Sequence, residues 1–407
     1  MSRTTDPVVD FDHHRLVTEQ DPDEAYARLR DECPVGRAEG HGGYWVVTRH
    51  DDVAEILRTH TAYSSRDGLA IPSHFEHRII PTEMDPPEHT VYRRVLNQYL
   101  TKDAVAALRP RVEHWTTHYI DEIIEQGSCD LVYDLALAIP AAVTLEWVGW
   151  DARDEWAKIG ETWHNVLSLP LSDPRNAQGK ADIGWLRGRI AQELERRRRD
   201  PRDDIITKIG ALEIDGAPIP EERAIALVDV CIAGGVDTTQ SLIGQSLVHL
   251  YRHPDQRRAL REDPSLWEVA TEEFLRRYPP VRTTARTVVG DREIGGCPLR
   301  DGDRVLVALS SANQDEDVFA DPLDVRFDRG SKTHFAFGGG IHKCVGLHLA
   351  RSEFTTVMSQ ALARLGDYVV DEERLTPYLR QSEVSGWATA PATFPPGPRI
   401  AAQTEPG

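Results

Sequence analysis

The sequence is poor in the features that mark a secreted, nucleic-acid-binding or membrane protein. Its five cysteines, Cys33, Cys129, Cys231, Cys297 and Cys344, are odd in number, widely spaced and free of any Cys-x-x-Cys pair. That leaves no sign of a disulfide framework, a structural zinc or an iron–sulfur centre of its own, and fits a reduced, cytoplasmic protein. Positive charge is in deficit: 47 Lys and Arg against 66 Asp and Glu give a net charge of −19. Such a surface repels nucleic acid and anionic lipid, so neither is expected as a partner. The stretch Met1 to Asp12 lacks the basic-then-apolar order of an export signal. The most apolar run, Leu131 to Trp150, is broken by Asp134, Pro140 and Glu146 and reads as a core helix, not a membrane span. With no repeat, low-complexity linker or composition break, residues 1–407 read as one domain.

What the chain does have is helical periodicity. Asp23 to Asp31, Asp51 to His60, His89 to Leu100, Asp103 to Glu125, Asp182 to Arg199, Glu221 to Tyr251, Leu266 to Tyr278 and Val345 to Leu365 all carry apolar residues at three- and four-residue spacing. Strand-like runs are few and short: Tyr44 to Thr48, Arg286 to Val289, Arg304 to Leu309 and Tyr368 to Val370. The expected fold is mainly α with small β-sheets beside the helices, an α+β body. Ser310 to Phe337 is rich in turn formers and reads as a long irregular segment. The Arg196 to Arg199 run ends a helix, where cations suit the dipole, and reads as a solvated end.

Four constellations carry chemistry. The strongest is Phe337-Gly338-Gly339-Gly340-Ile341-His342-Lys343-Cys344-Val345-Gly346, followed at once by a helix. A glycine-rich loop thereby delivers a cysteine to a helix N-terminus, where unpaired N–H groups and the dipole favour the metal-ligating thiolate. The second is Gly234-Gly235-Val236-Asp237-Thr238-Thr239 inside a long apolar helix. Each Gly there costs ~1 kcal/mol relative to Ala. A Gly pair followed by an acid and alcohols can open the hydrogen-bond ladder into a groove, or can serve packing alone. The third is Glu273-Phe-Leu-Arg276, an i, i+3 acid–base pair common on solvated helices. The fourth is Asp85-Pro86-Pro87-Glu88-His89, opening a helix in which His89 and Arg93 share a face.

Together, and in the order in which they occur along the chain, these motifs resemble the cytochrome P-450 family of haem-thiolate monooxygenases, from Asp21 to Pro398. Ile80 to Glu88, Gly234 to Thr238 and Val325 to Arg329 are similar to the soluble bacterial type that includes camphor hydroxylase. The resemblance implies a single helix-rich domain with haem between the long central helix and the cysteine loop. It makes Cys344 the iron ligand, with Phe337, Gly338, Gly346 and Gly235 lining the haem. His89, Arg93, Arg286 and His342 become partners of the propionates. Asp237 and Thr238 become the acid–alcohol pair that delivers protons to dioxygen. Glu273 and Arg276, joined by Arg329, become a buried support of the cysteine loop. The substrate pocket implied comprises His77, Ile79, Ile80, Thr82, Val230, Ala233, Gly234, Val281, Thr283, Val384 and Trp387. Gln314 and Glu316 depart from the family pattern, in which many members have Arg and Pro.

The activity implied is insertion of one oxygen atom of dioxygen into a small, largely apolar substrate, terpenoid or aromatic-like, with hydroxylation as the outcome. The cofactor is heme b, and electrons come indirectly from NAD(P)H through a ferredoxin-type iron–sulfur protein and a ferredoxin reductase. Arg94, Lys102, Arg109, Arg111, Lys343 and Arg351 are a candidate basic docking face on an otherwise acidic monomer. A haem-thiolate peroxygenase and a non-catalytic haem-binding or sensor protein are the alternatives. The acid–alcohol pair argues against the first, and coupled NAD(P)H consumption separates the second.

Overall fold

A computed structural model describes residues 7–16, 20–73, 77–170, 172–330, 332–379 and 383–400. The first six residues of the polar N-terminal stretch lie outside the described residues. The chain divides into two compact units: residues 1–90, 272–344 and 379–385 form the first, and 91–271, 345–378 and 386–407 the second.

The first unit is built on a five-stranded sheet, in the order Val35–Ala38, Tyr44–Val47, Arg304–Ala308, Thr283–Val288 and Tyr63–Ser64. Only the pairing of Arg304–Ala308 with Tyr44–Val47 is parallel. Side chains alternate across a strand, and here both faces are covered. Val305 and Val307 join Trp45 and Val47 in one buried cluster, whereas Leu306 and Ala308 join Tyr44 and Val46 in another. That is why these strands read as continuous apolar runs. The helix Pro22–Glu32 begins where Asp21 accepts from the N–H groups of Asp23 and Glu24, with Pro22 in the first turn. Helix His50–Arg58 buries Val53, Ala54, Ile56 and Leu57 in the first cluster.

The second unit is helical. Its axis is the helix Glu221–Arg252, packed against Ala138–Val148, Pro174–Arg199 and Leu347–Leu365. Leu131–Val148 and Glu221–Arg252 are both long and apolar enough to cross a membrane, but 72% of each most apolar window is buried inside the protein. The former opens with π-helical Leu131–Leu137, capped by Asp130, before the regular helix Ala138–Val148. A three-stranded sheet, Val369–Val370, Pro391–Thr393 and Ser128–Asp130, completes this unit.

Several elements differ from the sequence reading. The helix expected from Asp182 begins at Pro174, where Asp173 caps it and Pro174 occupies the first turn. Helix Trp156–Ser168 was not expected; Gly160 sits in its middle because a Cβ there would stand 3.3 Å from the Ala141 Cβ on Ala138–Val148. The Arg196 to Arg199 run is not wholly solvated. Arg197 is buried, paired with Asp204 and Glu193 and donating to the Gly149 carbonyl, because the last turn of its helix lies against that turn of chain.

Candidate active site

The cysteine loop is fixed from within the first unit. Gly338 and Gly340 take φ of +62° and +61°, the left-handed region that a side chain disfavours. At Gly340 a Cβ would also collide with the Leu57 carbonyl oxygen, so the loop can lie against the end of helix His50–Arg58 only as glycine. Backbone bonds close it: Gly338 N–H donates to Phe335 O at 2.9 Å and Cys344 N–H to Phe337 O at 2.9 Å. Cys344 is a partly accessible cysteine in no disulfide among the described residues, Phe337 is half-buried, and the chain then enters helix Leu347–Leu365 with Gly346 at the N-cap. Gly346 has no side chain to cap that end, where the helix dipole is positive.

Glu273, Arg276 and Arg329 come together as one buried cluster. Arg276 grips Glu273 with two bonds of 2.8 and 3.1 Å, and Arg329 Nε donates to the same carboxylate at 3.0 Å. The remaining guanidinium donors reach backbone: Arg276 to Asn313 O, Pro322 O and Asp324 O, and Arg329 to Ala320 O and Asp321 O. The long irregular segment thus finds hydrogen-bond partners in two arginines instead of a sheet or helix. Burial pushes the Glu273 carboxyl up, but Arg276, Arg329 and the Arg326 N–H together hold it below the usual carboxylate range. The two departures from the family pattern have partners of their own: Glu316 takes two bonds from Arg30 at 3.0 and 2.8 Å, and Gln314 donates to Asp23 at 3.0 Å.

Of the four residues expected near propionates, His89 and His342 meet edge to face with ring centroids 4.6 Å apart, and His342 Nε2 lies 3.1 Å from Ser65 Oγ. Arg286 is buried, and burial pulls its pKa down to about 10 against the attraction of Asp85. It donates to Thr284 Oγ1 and Ala285 O, and among the described residues no carboxylate is hydrogen-bonded to it. A buried guanidinium held only by neutral oxygens suits an incoming anion. Arg93 lies one turn beyond His89 on helix Glu88–Tyr99, half-buried, and donates to Asn97 Oδ1 at 3.0 Å.

The Gly234 to Thr239 segment stays helical throughout, so the glycine pair does not break Glu221–Arg252 into two helices. Gly235 is required by packing: a Cβ there would overlap Thr144 Oγ1 and stand 2.9 Å from its Cγ2. Gly234 has nothing within 4 Å of the equivalent point. Val230, Ala233, Gly234 and Thr238 form an accessible stripe on a helix whose Ile232, Val236, Asp237 and Thr239 are buried. The Thr238 hydroxyl donates back to Gly234 O at 2.8 Å. Asp237 is fully buried; its Oδ1 lies 3.1 Å from His164 Nδ1, and Oδ2 has no hydrogen-bond partner among the described residues. His164 packs edge to face on Tyr378 with centroids 5.0 Å apart. Neither His164 nor Tyr378 was singled out in the sequence. His164 stands alone 73 positions from Asp237 on a helix that was itself unexpected, so no local pattern marks it.

Of the expected pocket residues, His77, Ile79, Ile80, Thr82, Val281, Thr283 and Val384 belong to the first unit, and Val230, Ala233, Gly234 and Trp387 to the second. Val281 and Val384 form an antiparallel bridge, and Thr283 is buried beside Val281 in the sheet. Ile80 is buried and Ile79 half-buried, their loop held by Glu83, which accepts from Ile79 N and Leu69 N at 2.9 and 3.1 Å. Thr82 is half-buried, and His77 is exposed. Trp387 lies under the Arg252 guanidinium, 5.6 Å from its ring centroid, at the C-terminal end of the long helix and not beside Gly234.

In the first unit, an accessible thiol at the start of a helix and a buried arginine that among the described residues is hydrogen-bonded to no acid fit a haem with its propionates; the class these features define is a haem-thiolate oxygenase. Comparison with known proteins bears this out. A cytochrome P-450 family model matches residues 186–384. The chain is 34% identical over 367 residues to cytochrome P-450 107B1 of Saccharopolyspora erythraea, covering 86% of this chain and 88% of that one. It is 32% identical over 367 residues to linalool 8-monooxygenase of Pseudomonas putida, covering 86% and 90%. The structure matches the Mycobacterium marinum cytochrome P-450 CYP268A2 in complex with pseudoionone with a TM-score of 0.89, at 25% identity, over 96% of this chain and 100% of the other. The chain belongs to the cytochrome P-450 family of haem-dependent, dioxygen-using monooxygenases.

Proposed function

We propose that this enzyme inserts one atom of dioxygen into a small, largely apolar organic substrate, terpenoid or aromatic-like, with hydroxylation as the outcome. Its electrons come from NAD(P)H through a ferredoxin-type iron–sulfur protein and a ferredoxin reductase. The observation that carries this reading is the accessible stripe Val230, Ala233, Gly234 and Thr238, adjoining a buried carboxylate that is coupled to a histidine. An apolar surface with one proton-handling corner suits a substrate that offers little to hydrogen-bond. Two comparisons point the same way: one relative is named for linalool, and one solved neighbour holds pseudoionone.

In this reading Cys344 ligates the haem iron, and His89, Arg93, Arg286 and His342 face the propionates. Haem held by a thiolate supplies the O–O cleavage and the oxidising power when bound. This chain's residues do the rest. Asp237 passes a proton through Oδ2, His164 keeps that carboxyl oriented, and the Thr238 hydroxyl passes hydrogen bonds onward by turning from Gly234 O. Glu273, Arg276 and Arg329 keep the irregular segment, and so the cysteine loop that follows it, in place. In the same reading the enzyme works in the cytoplasm as a soluble monomer, with 1–407 as one catalytic domain; a relative and a solved neighbour aligned across most of the chain support the single domain. Of the basic docking candidates, Arg109 and Arg111 are paired with Glu113 and Glu146, and Arg94, Lys102 and Lys343 are exposed.

The test is a screen of terpenoid and aromatic compounds for shifts in the haem spin state, followed by product and NAD(P)H measurement with a ferredoxin and its reductase. A spin shift with product formed in step with NAD(P)H consumption is expected. Haem binding without consumption for any shifting compound points to the sensor reading. Turnover driven by hydrogen peroxide but not by the ferredoxin points to the peroxygenase.

A further inference from the structure

A second cluster of ligand-type side chains lies in the first unit, on residues the oxygenase chemistry does not use. His13, His14 and Glu383 each present one donor atom, and the three donors lie within 4.8 Å of one another. His13 is fully buried; its Nδ1 lies 3.0 Å from the Tyr44 hydroxyl, and its Nε2 is buried without a hydrogen-bond partner among the described residues. His14 Nε2 lies 2.8 Å from the Ile71 carbonyl oxygen. A carbonyl only accepts, so that nitrogen carries the proton and Nδ1 of His14 keeps its lone pair. The His13 tautomer that donates from Nδ1 to Tyr44 likewise leaves a lone pair on Nε2. An imidazole whose second nitrogen is tied to an oxygen is the arrangement that orients a metal-ligating histidine. Glu383, only 8% exposed, completes a set of two imidazoles and one carboxylate drawn from opposite ends of the sequence.

We propose that His13, His14 and Glu383 form a binding site for a borderline divalent metal ion such as Zn2+, separate from the haem ligands. Two histidines and a carboxylate are a common zinc donor set, and water takes the fourth tetrahedral position. Bonds of ~2.1 Å place tetrahedral donors ~3.4 Å apart, so the three groups close slightly on the ion. The ion then ties the stretch before the first helix to the 383–385 segment and stabilises the folded chain over the unfolded one.

Haem-loaded, chelator-treated protein titrated with Zn2+ by calorimetry is expected to bind one equivalent and to melt at a higher temperature with the metal present. In His14→Gln and in Glu383→Gln, each checked for an unchanged haem spectrum, the Kd is expected to rise at least tenfold and the melting shift to vanish. X-ray absorption at the zinc edge of the unmutated protein, which depends on no variant, is expected to show imidazole nitrogens together with oxygen ligands. Absence of a stoichiometric equivalent, an equivalent unchanged in both variants, or coordination by oxygen alone overturns the proposal.

Discussion

Asp237 and Thr238 are neighbours in sequence with opposite surroundings, and their substitutions should fail in different ways. Thr238 lies on the accessible stripe with its hydroxyl donating to Gly234 O, whereas Asp237 is sealed in the core against His164. Thr238→Ala is expected to keep substrate binding and NAD(P)H consumption but to release hydrogen peroxide, because a mispositioned proton no longer leads to O–O cleavage. The ratio of product to NAD(P)H measures this. Asp237→Asn, with an amide that cannot ionise, is expected to slow dioxygen reduction by roughly a hundredfold, the scale of a lost proton-transfer group. If Thr238→Ala kept the parent ratio with a good substrate, the hydroxyl would have no part in the proton path. These two residues could be singled out in the sequence because an acid and alcohols after a glycine pair are costly in a helix. His164 could not, since its relation to Asp237 exists only after two helices pack.

At the scale of elements, the glycine pair divides its labour. Gly234 opens onto free space, while Gly235 lets the long helix approach Ala138–Val148 at Thr144. Gly235→Ala is expected to destabilise the protein by about 1–3 kcal/mol through overpacking. Thr144→Ala in the same chain removes both the overlapping Oγ1 and the neighbouring Cγ2, and denaturant unfolding of the double variant is expected to recover most of the loss. Additive losses in the cycle would place the strain elsewhere. Periodicity made the long helix legible but not its continuity. The cost of two interior glycines pointed equally to a groove or to packing, and only the position of Thr144 tells that Gly235 serves packing. The irregular segment was legible as turn-rich, yet what holds it, the backbone carbonyls gathered by Arg276 and Arg329, has no local signature.

Across the whole molecule, burial of charge shapes the response to pH. Glu353 is fully enclosed, and burial raises its pKa well above the usual value despite a hydrogen bond from Thr239. The folded state therefore keeps a proton that the unfolded chain releases near pH 4.5. Its contribution is fully present below that pH and is lost as pH rises through the folded pKa. Glu353→Gln removes this dependence, so the variant is expected to lose less stability than the parent between mildly acidic and mildly alkaline pH. Parallel curves of unfolding free energy against pH would show that Glu353 ionises in the fold without cost. Glu273 runs the other way: its depressed pKa stabilises the fold above the unfolded value, and this is lost as pH falls through the folded pKa.

The family was legible from short, unusual patterns, above all four glycines, a phenylalanine and a histidine at fixed offsets around Cys344, because cofactor chemistry tolerates few substitutes there. The packing of distant segments was not, since no local pattern shows that Val281 bridges Val384 or that Trp387 lies against Arg252. Thiolate ligation of haem by Cys344 is the claim on which the rest depends. The reduced carbon monoxide difference spectrum of haem-loaded protein tests it most directly. The account expects the strongly red-shifted Soret band in the parent and its loss in Cys344→Ser; an unchanged band in that variant would contradict it.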